Sequence, residues 1–282
     1  MPADPGFDVA ACHRYILNRQ DRDGGFCFYR GMGVEESNAP DTHHAIVSLG
    51  LLGAEVPRRE AVIAWLRELQ DAVGAWATLT IAWHGLSALR LLGARPRQDP
   101  RLYLEAQAEQ IRGWQDQELF WSSALVRLSA WAVLCRDGGV VLASVEVQAV
   151  ARFLHSLRGP LGGYGRPGED LIDTRMALTV LDALGLGLDR AALGYIVSCK
   201  DRSSGFRLVP DTPTSSVEAV HAGIAALALY GKTLEPELWA AARAFLRSCQ
   251  DGRGGFGRTT GAIASLTDTA LALEVLCRYT AP

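Results

Sequence analysis

An aromatic residue followed eleven positions later by a second aromatic recurs six times along the 282-residue chain, and this recurrence constrains the fold most. The pairs are Tyr15/Phe26, Trp65/Trp76, Tyr103/Trp114, Phe153/Tyr164, Tyr195/Phe206 and Phe245/Phe256. Their first members lie 50, 38, 50, 42 and 50 residues apart. The second aromatic follows glycine in five of the six pairs, and Trp76 follows Ala75. At 8% aromatic content, six such coincidences do not arise by chance.

Each unit has the same grammar. An amphipathic stretch such as Ala241–Gln250 reads as a helix. It ends in a polar turn such as Asp251-Gly-Arg-Gly-Gly255, where glycine suits a left-handed cap. A second, Ala/Leu-rich stretch follows a variable loop, and several units close on Leu-Gly, as at Leu52-Gly53, Leu92-Gly93 and Leu184-Gly185. Asp41, Asp173 and Asp268 each precede threonine at the head of this second helix, where aspartate is a favoured N-cap. Met176–Leu184 and Ala222–Leu229 are apolar nearly all round, so they require burial on every side. Polar outer helices paired with apolar inner ones predict an all-α fold, a closed α/α toroid of six helical hairpins. The repeats run over about 12–54, 60–95, 100–138, 148–187, 190–232 and 237–279, within a single domain of residues 1–282. An open solenoid is the competing arrangement, but it needs polar end repeats. The last inner stretch, Asp268–Tyr279, stays apolar, which favours closure.

Composition excludes several classes. The chain is 49% hydrophobic and 21% charged, with a net charge of −3, enough apolar material for a core and far from a disordered chain. No basic excess marks a nucleic-acid partner. Lys200 and Lys232 are the only lysines, so arginine dominates, as in a GC-rich bacterial genome. No apolar run reaches membrane-spanning length, and Met1–Ala10 lacks the features of a signal peptide. The six cysteines are dispersed, without a Cys-x-x-Cys pair. The expectation is a soluble, reduced, cytoplasmic monomer or homodimer.

Aligning the inner helices on the aspartate before threonine places Asp41, Ile81, Ser123, Asp173, Ala219 and Asp268 at one level, with Glu218 replacing Ala219 if one residue is inserted. Two positions on come His43, Trp83, Leu125, Arg175, His221 and Ala270; one further come His44, His84, Val126, Met176, Ala222 and Leu271. Four of the six histidines therefore share the N-terminal mouth of the inner ring, while His13 and His155 fall on outer helices. Titratable groups over an apolar cavity make the default active-site candidate. Helix N-termini at the same rim favour an anion such as a diphosphate. The plainer alternative is that the aspartates are caps and the histidines are hydrogen-bonded rim residues. The glycine-aromatic motifs, Cys199 and Cys249 read as structural.

The stretches SCQDGRGGFGRTTGAIASLTDTALALEVL and LGGYGRPGEDLIDTRMALTVLDALG resemble the prenyltransferase/squalene-cyclase repeat superfamily, over about residues 12–279. The resemblance implies an α/α barrel with a cavity for an isoprenoid or other apolar substrate. For a zinc-dependent protein prenyltransferase β-subunit, it implies Asp173 and His221 as zinc ligands, with His43 a third candidate. Arg175, however, stands where the ligand cysteine belongs, and Asp170 where a diphosphate-binding base belongs. Arg166 resembles the diphosphate-binding arginine. For a class II terpene cyclase, Asp170-Leu-Ile-Asp173-Thr174 resembles the Asp-x-Asp-Asp-Thr motif, with Ile172 at the central acid, and Asn38-Ala-Pro-Asp41-Thr42 is a weaker match.

The favoured expectation is a small cyclase-like enzyme using acid/base chemistry. Asp173 is then the acid, Asp170 or Asp41 its partner, and His43 and His221 acid/base groups. His44, His84, Trp83, Trp121, Arg166, Arg175 and Glu218 hold the substrate. Phe120 and Trp131 are further aromatic faces for a cation. Mg²⁺ with a diphosphate and Zn²⁺ are the candidate cofactors. A non-catalytic toroid binding an isoprenoid or a partner is the third reading.

Overall fold

The computed structural model describes residues 6–29, 36–112 and 121–279, with residues 112 and 121–123 as backbone only. Among these, twelve α-helices alternate between two rings. The outer members are α1 (Val9–Leu17), α3 (Arg59–Glu68), α5 (Arg101–Arg112), α7 (Ser144–Ser156), α9 (Arg190–Ser198) and α11 (Pro236–Ser248). The inner members are α2 (Ala39–Leu51), α4 (Leu79–Leu91), α6 (Trp121–Gly138), α8 (Leu171–Ala183), α10 (Val217–Leu229) and α12 (Leu266–Leu273). Each inner helix packs on the next, and α12 packs back on α2, so the ring is closed and not an open solenoid.

Burial follows the sequence pattern. Outer helix α11 buries one stripe, Trp239, Ala242 and Leu246, and leaves its other face to water. Inner helix α10 buries nearly every residue from Val217 to Leu227. Among the described residues, no helix is long and apolar enough to cross a membrane.

The eleven-residue aromatic spacing marks the seams between units. At three of these seams the first aromatic of one unit lies on the glycine before the second aromatic of the preceding unit, Trp65 on Gly25, Tyr195 on Gly163 and Tyr15 on Gly255. A Cβ on Gly163 would sit 2.7 Å from the Tyr195 ring, and one on Gly255 would sit 2.6 Å from Tyr15. The second contact joins the last unit to the first. The Tyr15 hydroxyl adds a bond to the Ala264 carbonyl, at 2.9 Å. Polar side chains five residues past the first aromatic tie the same seams in every unit but the third, where Ala108 stands. Gln20 donates to the Pro57 carbonyl at 2.8 Å, Arg158 pairs with Asp189 at 2.6 Å and Lys200 with Glu235 at 2.7 Å. Gln250 closes the circle by bonding both the N–H and the carbonyl of Asp8.

Two details depart from expectation. Asp41, Asp173 and Asp268 are not the caps. The cap side chains are Asn38, Asp170 and Ser265, each accepting from the backbone N–H of the aspartate three residues on. The aspartates occupy the third helical position, where the exposed N–H groups of the first turn favour an anion. The last inner helix does not run unbroken to Tyr279. At Glu274–Arg278 it widens into a π-helical turn.

Candidate active site

The inner helices enclose a central cavity of about 430 Å³. Val47, Leu91, Val133, Ile172 and Leu271 supply apolar wall, and Trp83, His43, His44, His84, Arg175, Glu218, His221 and Glu274 supply the polar and aromatic groups. A recess of about 600 Å³ between Trp76–Thr80 and α5 shows no histidine or carboxylate among the described residues.

Three of the four predicted rim histidines converge. His43 and His44 are neighbours on α2, and His84 faces them from α4. The Nδ1 atoms of His43 and His84 are 3.0 Å apart, so one donates and the other accepts. The His44 ring lies 5.2 Å from that of His84, and its Nδ1 meets the Thr267 hydroxyl at 3.1 Å. Trp83 stands edge-on to His43 and His84, with ring centroids 5.3 and 4.5 Å away. Burial drives all three imidazoles toward the neutral form, His43 to about 3, His44 to about 4 and His84 to about 2; repulsion from the neighbouring rings adds to the effect at His43 and His84, and repulsion from His221 adds to it at His44.

The fourth, His221 on α10, makes a separate pair. Its Nε2 lies 2.7 Å from Glu274 Oε2, and Arg278 reaches the other carboxylate oxygen at 2.8 Å. Burial works to raise the Glu274 pKa, but the hydrogen bond and charge of His221, with Arg278, outweigh it and hold the carboxyl below its usual range. An ionised carboxylate only accepts, so His221 donates through Nε2; in the neutral ring with this tautomer, Nδ1 is the acceptor. Sequence reasoning missed Glu274. The signal was available: it is the one charged residue within the apolar run Ala270–Cys277.

The predicted acids do not join this cavity wall. Asp41, Asp170 and Asp173 lie outside the lining, whereas Ile172, at the central acid position of the cyclase-like motif, is part of it. The helical rotation of about 100° per residue explains the difference. It turns Ile172 inward and Asp173 back toward the glycine-aromatic loop, where a Cβ on Gly165 would lie 3.1 Å from Asp173 Oδ2. The threonines of the motif are structural as well. Thr42, Thr174 and Thr269 accept the N–H of Phe26, Tyr164 and Phe256 at 2.9, 2.9 and 3.0 Å.

Asp173 is nevertheless unusual. Its Oδ2 is buried with no hydrogen-bond partner. Burial, followed by the charge of Asp170 and a hydrogen bond with it, pushes its pKa up to about 7. Asp41 has a neutral donor in the same place, with Asn38 Nδ2 at 2.6 Å. Because the folded pKa of Asp173 exceeds the value near 3.8 of the unfolded chain, its contribution is fully present below pH 4 and is lost as pH rises through 7. Asp170→Asn reproduces the Asn38/Asp41 arrangement and keeps a good cap. It is expected to stabilise the protein by roughly 1–2 kcal/mol at pH 8 and to flatten the fall in melting temperature between pH 5 and pH 8. Thermal unfolding at the two pH values checks this; an equal slope in both proteins would contradict it.

The remaining sequence candidates divide. Arg175 is in the cavity wall, where burial works against its charge and Tyr279, Glu274 and Glu218 work for it. Glu218 also lines the cavity and pairs with Arg258 at 3.1 Å. Arg166 lies outside the lining and caps α7, donating from both its Nε, at 3.1 Å, and its Nη2 to the Ser156 carbonyl. Trp131 is wholly buried, with its N–H on the Leu104 carbonyl at 3.0 Å, so it is a core residue. Phe120 and the Trp121 side chain lie outside the described residues.

The zinc set Asp173, His221 and His43 is not brought together. Among the described residues, the convergent set of metal-type ligands is His43, His44 and His84. The prenyltransferase zinc site also fails on its donors, because the Arg175 guanidinium stands where a thiolate is required. Nor do the wall carboxylates form a Mg²⁺ cradle. Glu218 pairs with Arg258, Glu274 with His221 and Arg278, and Asp137 with Arg90 and Arg136.

Three solved structures share the architecture, all of the type II terpene cyclase MstE from Scytonema. An arginine-to-alanine variant in complex with its substrate geranylgeranyl dihydroxybenzoate is 14% identical, with a TM-score of 0.61 over 96% of this chain and 95% of that one. The apo form is 13% identical, with a TM-score of 0.58 over 96% of both chains. An aspartate-to-alanine variant in complex with the product merosterolic acid A is 14% identical, with a TM-score of 0.59 over 95% and 94%. No curated protein sequence matches the chain. The sequence profile of the prenyltransferase alpha-alpha toroid domain matches residues 3–77, 75–243 and 223–281. With its ring closed and nearly its whole length matched, the chain belongs to the prenyltransferase alpha-alpha toroid domain family.

Proposed function

We propose that the central cavity is the active site of an isoprenoid-processing enzyme of terpene-cyclase type, in which His221 carries the proton transfer. The observation behind this reading is one largely buried imidazole–carboxylate pair, His221–Glu274, in the wall of a cavity that also presents aliphatic side chains and the Trp83 ring. Aliphatic walls suit a prenyl chain, and the Trp83 ring suits a carbocation. As an imidazolium, His221 delivers its Nδ1 proton to a double bond of the prenyl chain, whose π pair forms the new C–H bond and leaves the cation; the neutral ring's Nδ1 then takes a proton back from the carbon next to the cationic centre, and that C–H electron pair becomes the new alkene. Glu274 stabilises the resulting imidazolium. Arg175 lies toward the N-terminal ends of the inner helices, where an anionic head group is favoured. In this reading Asp170 and Asp173 hold a helix start together and do not supply the acid.

The test uses prenyl diphosphates of graded length, with and without Mg²⁺, and a geranylgeranylated aromatic acid, with products identified by mass spectrometry. A rearranged or deprotonated hydrocarbon product from at least one substrate is expected. No product from any of them would overturn the reading. Tight prenyl binding without product would favour the non-catalytic toroid instead.

A further inference from the structure

We propose that His43, His44 and His84 form a binding site for a divalent transition-metal ion at the cavity wall, with a coordination position open to the lumen. The three rings offer one ligand nitrogen each, all within 4.8 Å of one another. The His43 and His84 Nδ1 atoms are already 3.0 Å apart. That is close to the ~3.3 Å between two nitrogens bound tetrahedrally at about 2.0–2.1 Å from zinc.

Three features separate this group from an ordinary hydrogen-bonded cluster. His44 has its outer-shell partner in place: Thr267 engages Nδ1 and so leaves Nε2 as the nitrogen to bind an ion. Glu274 supplies negative charge that acts on both His43 and His44, which offsets an added cation. Arg90, the cation that opposes binding at His43, is itself paired with Asp137. His43 and His84 pair through their Nδ1 atoms and His44 Nδ1 is taken by Thr267, so the three rings do not close a hydrogen-bonded cycle among themselves. An all-imidazole donor set suits Zn²⁺, Co²⁺, Ni²⁺ or Fe²⁺ and not Mg²⁺. With three protein ligands, the fourth position falls to water or to a substrate oxygen. The site differs in every ligand but His43 from the zinc set that the family resemblance implies, and it does not depend on which substrate the cavity takes.

The experiment reads metal directly, without turnover. Untagged full-length protein is stripped with a chelator, dialysed and titrated with Co²⁺, then with Zn²⁺, and bound metal is counted by mass spectrometry. The expected result is one ion per chain, with the intense visible absorption of tetrahedral Co²⁺, displaced by Zn²⁺. His84→Ala is expected to weaken binding at least about 100-fold, and His13→Ala, on α1, to leave it unchanged. Less than one-tenth of an ion per chain in the wild-type protein would overturn the site. So would a weak octahedral spectrum, or binding that survives His84→Ala. If His84→Ala fails to fold, the wild-type stoichiometry and spectrum decide alone. Metal without turnover would sink the proposed reaction and leave this site standing; turnover without metal would do the reverse.

Discussion

Glu274→Gln is expected to lower turnover of any accepted prenyl substrate by about 10²- to 10⁴-fold, with little change in substrate affinity. Glu274 is a positioning residue. It holds the Nε2–H of His221 at 2.7 Å and so fixes which ring nitrogen remains a base. Glutamine is nearly isosteric and can turn either its oxygen or its amide toward His221. Where the amide faces the ring, Nε2 becomes the acceptor and Nδ1 carries the proton, which is the wrong tautomer for accepting one. The lost negative charge also removes the counter-charge of the imidazolium. A merely structural role would lower melting temperature and leave the rate per folded molecule unchanged. Steady-state kinetics on protein shown to be folded, with kcat and KM separated, distinguishes the two. An unchanged kcat would show that His221 does not carry the proton.

Gly223→Ala is expected to destabilise the protein by about 2–4 kcal/mol. Gly223 lies inside α10, where glycine is otherwise unfavourable relative to alanine by about 1 kcal/mol. A Cβ there would sit 2.4–2.5 Å from three atoms of the Phe206 ring. That ring is wholly buried and is the second aromatic of its unit, so it cannot swing away. Helix propensity predicts a gain, and overpacking reverses its sign. Denaturant unfolding checks the outcome; a midpoint equal to or above wild type would show that the ring relocates at little cost. Gly85 repeats the arrangement on α4, 2.4 Å from the Trp76 ring, so Gly85→Ala should behave alike.

Much of the architecture was legible before any coordinate, for a definite reason. A repeat multiplies a weak local signal, and the spacing from Tyr15 to Phe26 means little until it recurs at Phe245 and Phe256. Helical period then assigned the outer and inner members. The level of the four histidines was legible too, because equivalent positions in a closed ring share a height. The aspartates misled the reading. Asp173 was aligned correctly, but a residue one step along a helix faces a different wall, and Ile172, not Asp173, took the inward direction.

The sequence alone determined the number of units, the alternation of polar outer and apolar inner helices, and the level at which titratable groups gather. These follow from composition and period, which act through short-range sterics and burial. Only the tertiary structure decided which groups meet. It brought His43, His44 and His84 together across α2 and α4, and gave His221 its partner in Glu274, 53 residues further along the chain. It also turned Asp170 and Asp173 away from the lumen. Such pairings depend on the rotation of each helix about its own axis and on a π-helical turn at Glu274–Arg278. Both are settled by packing among distant segments, which no local pattern encodes.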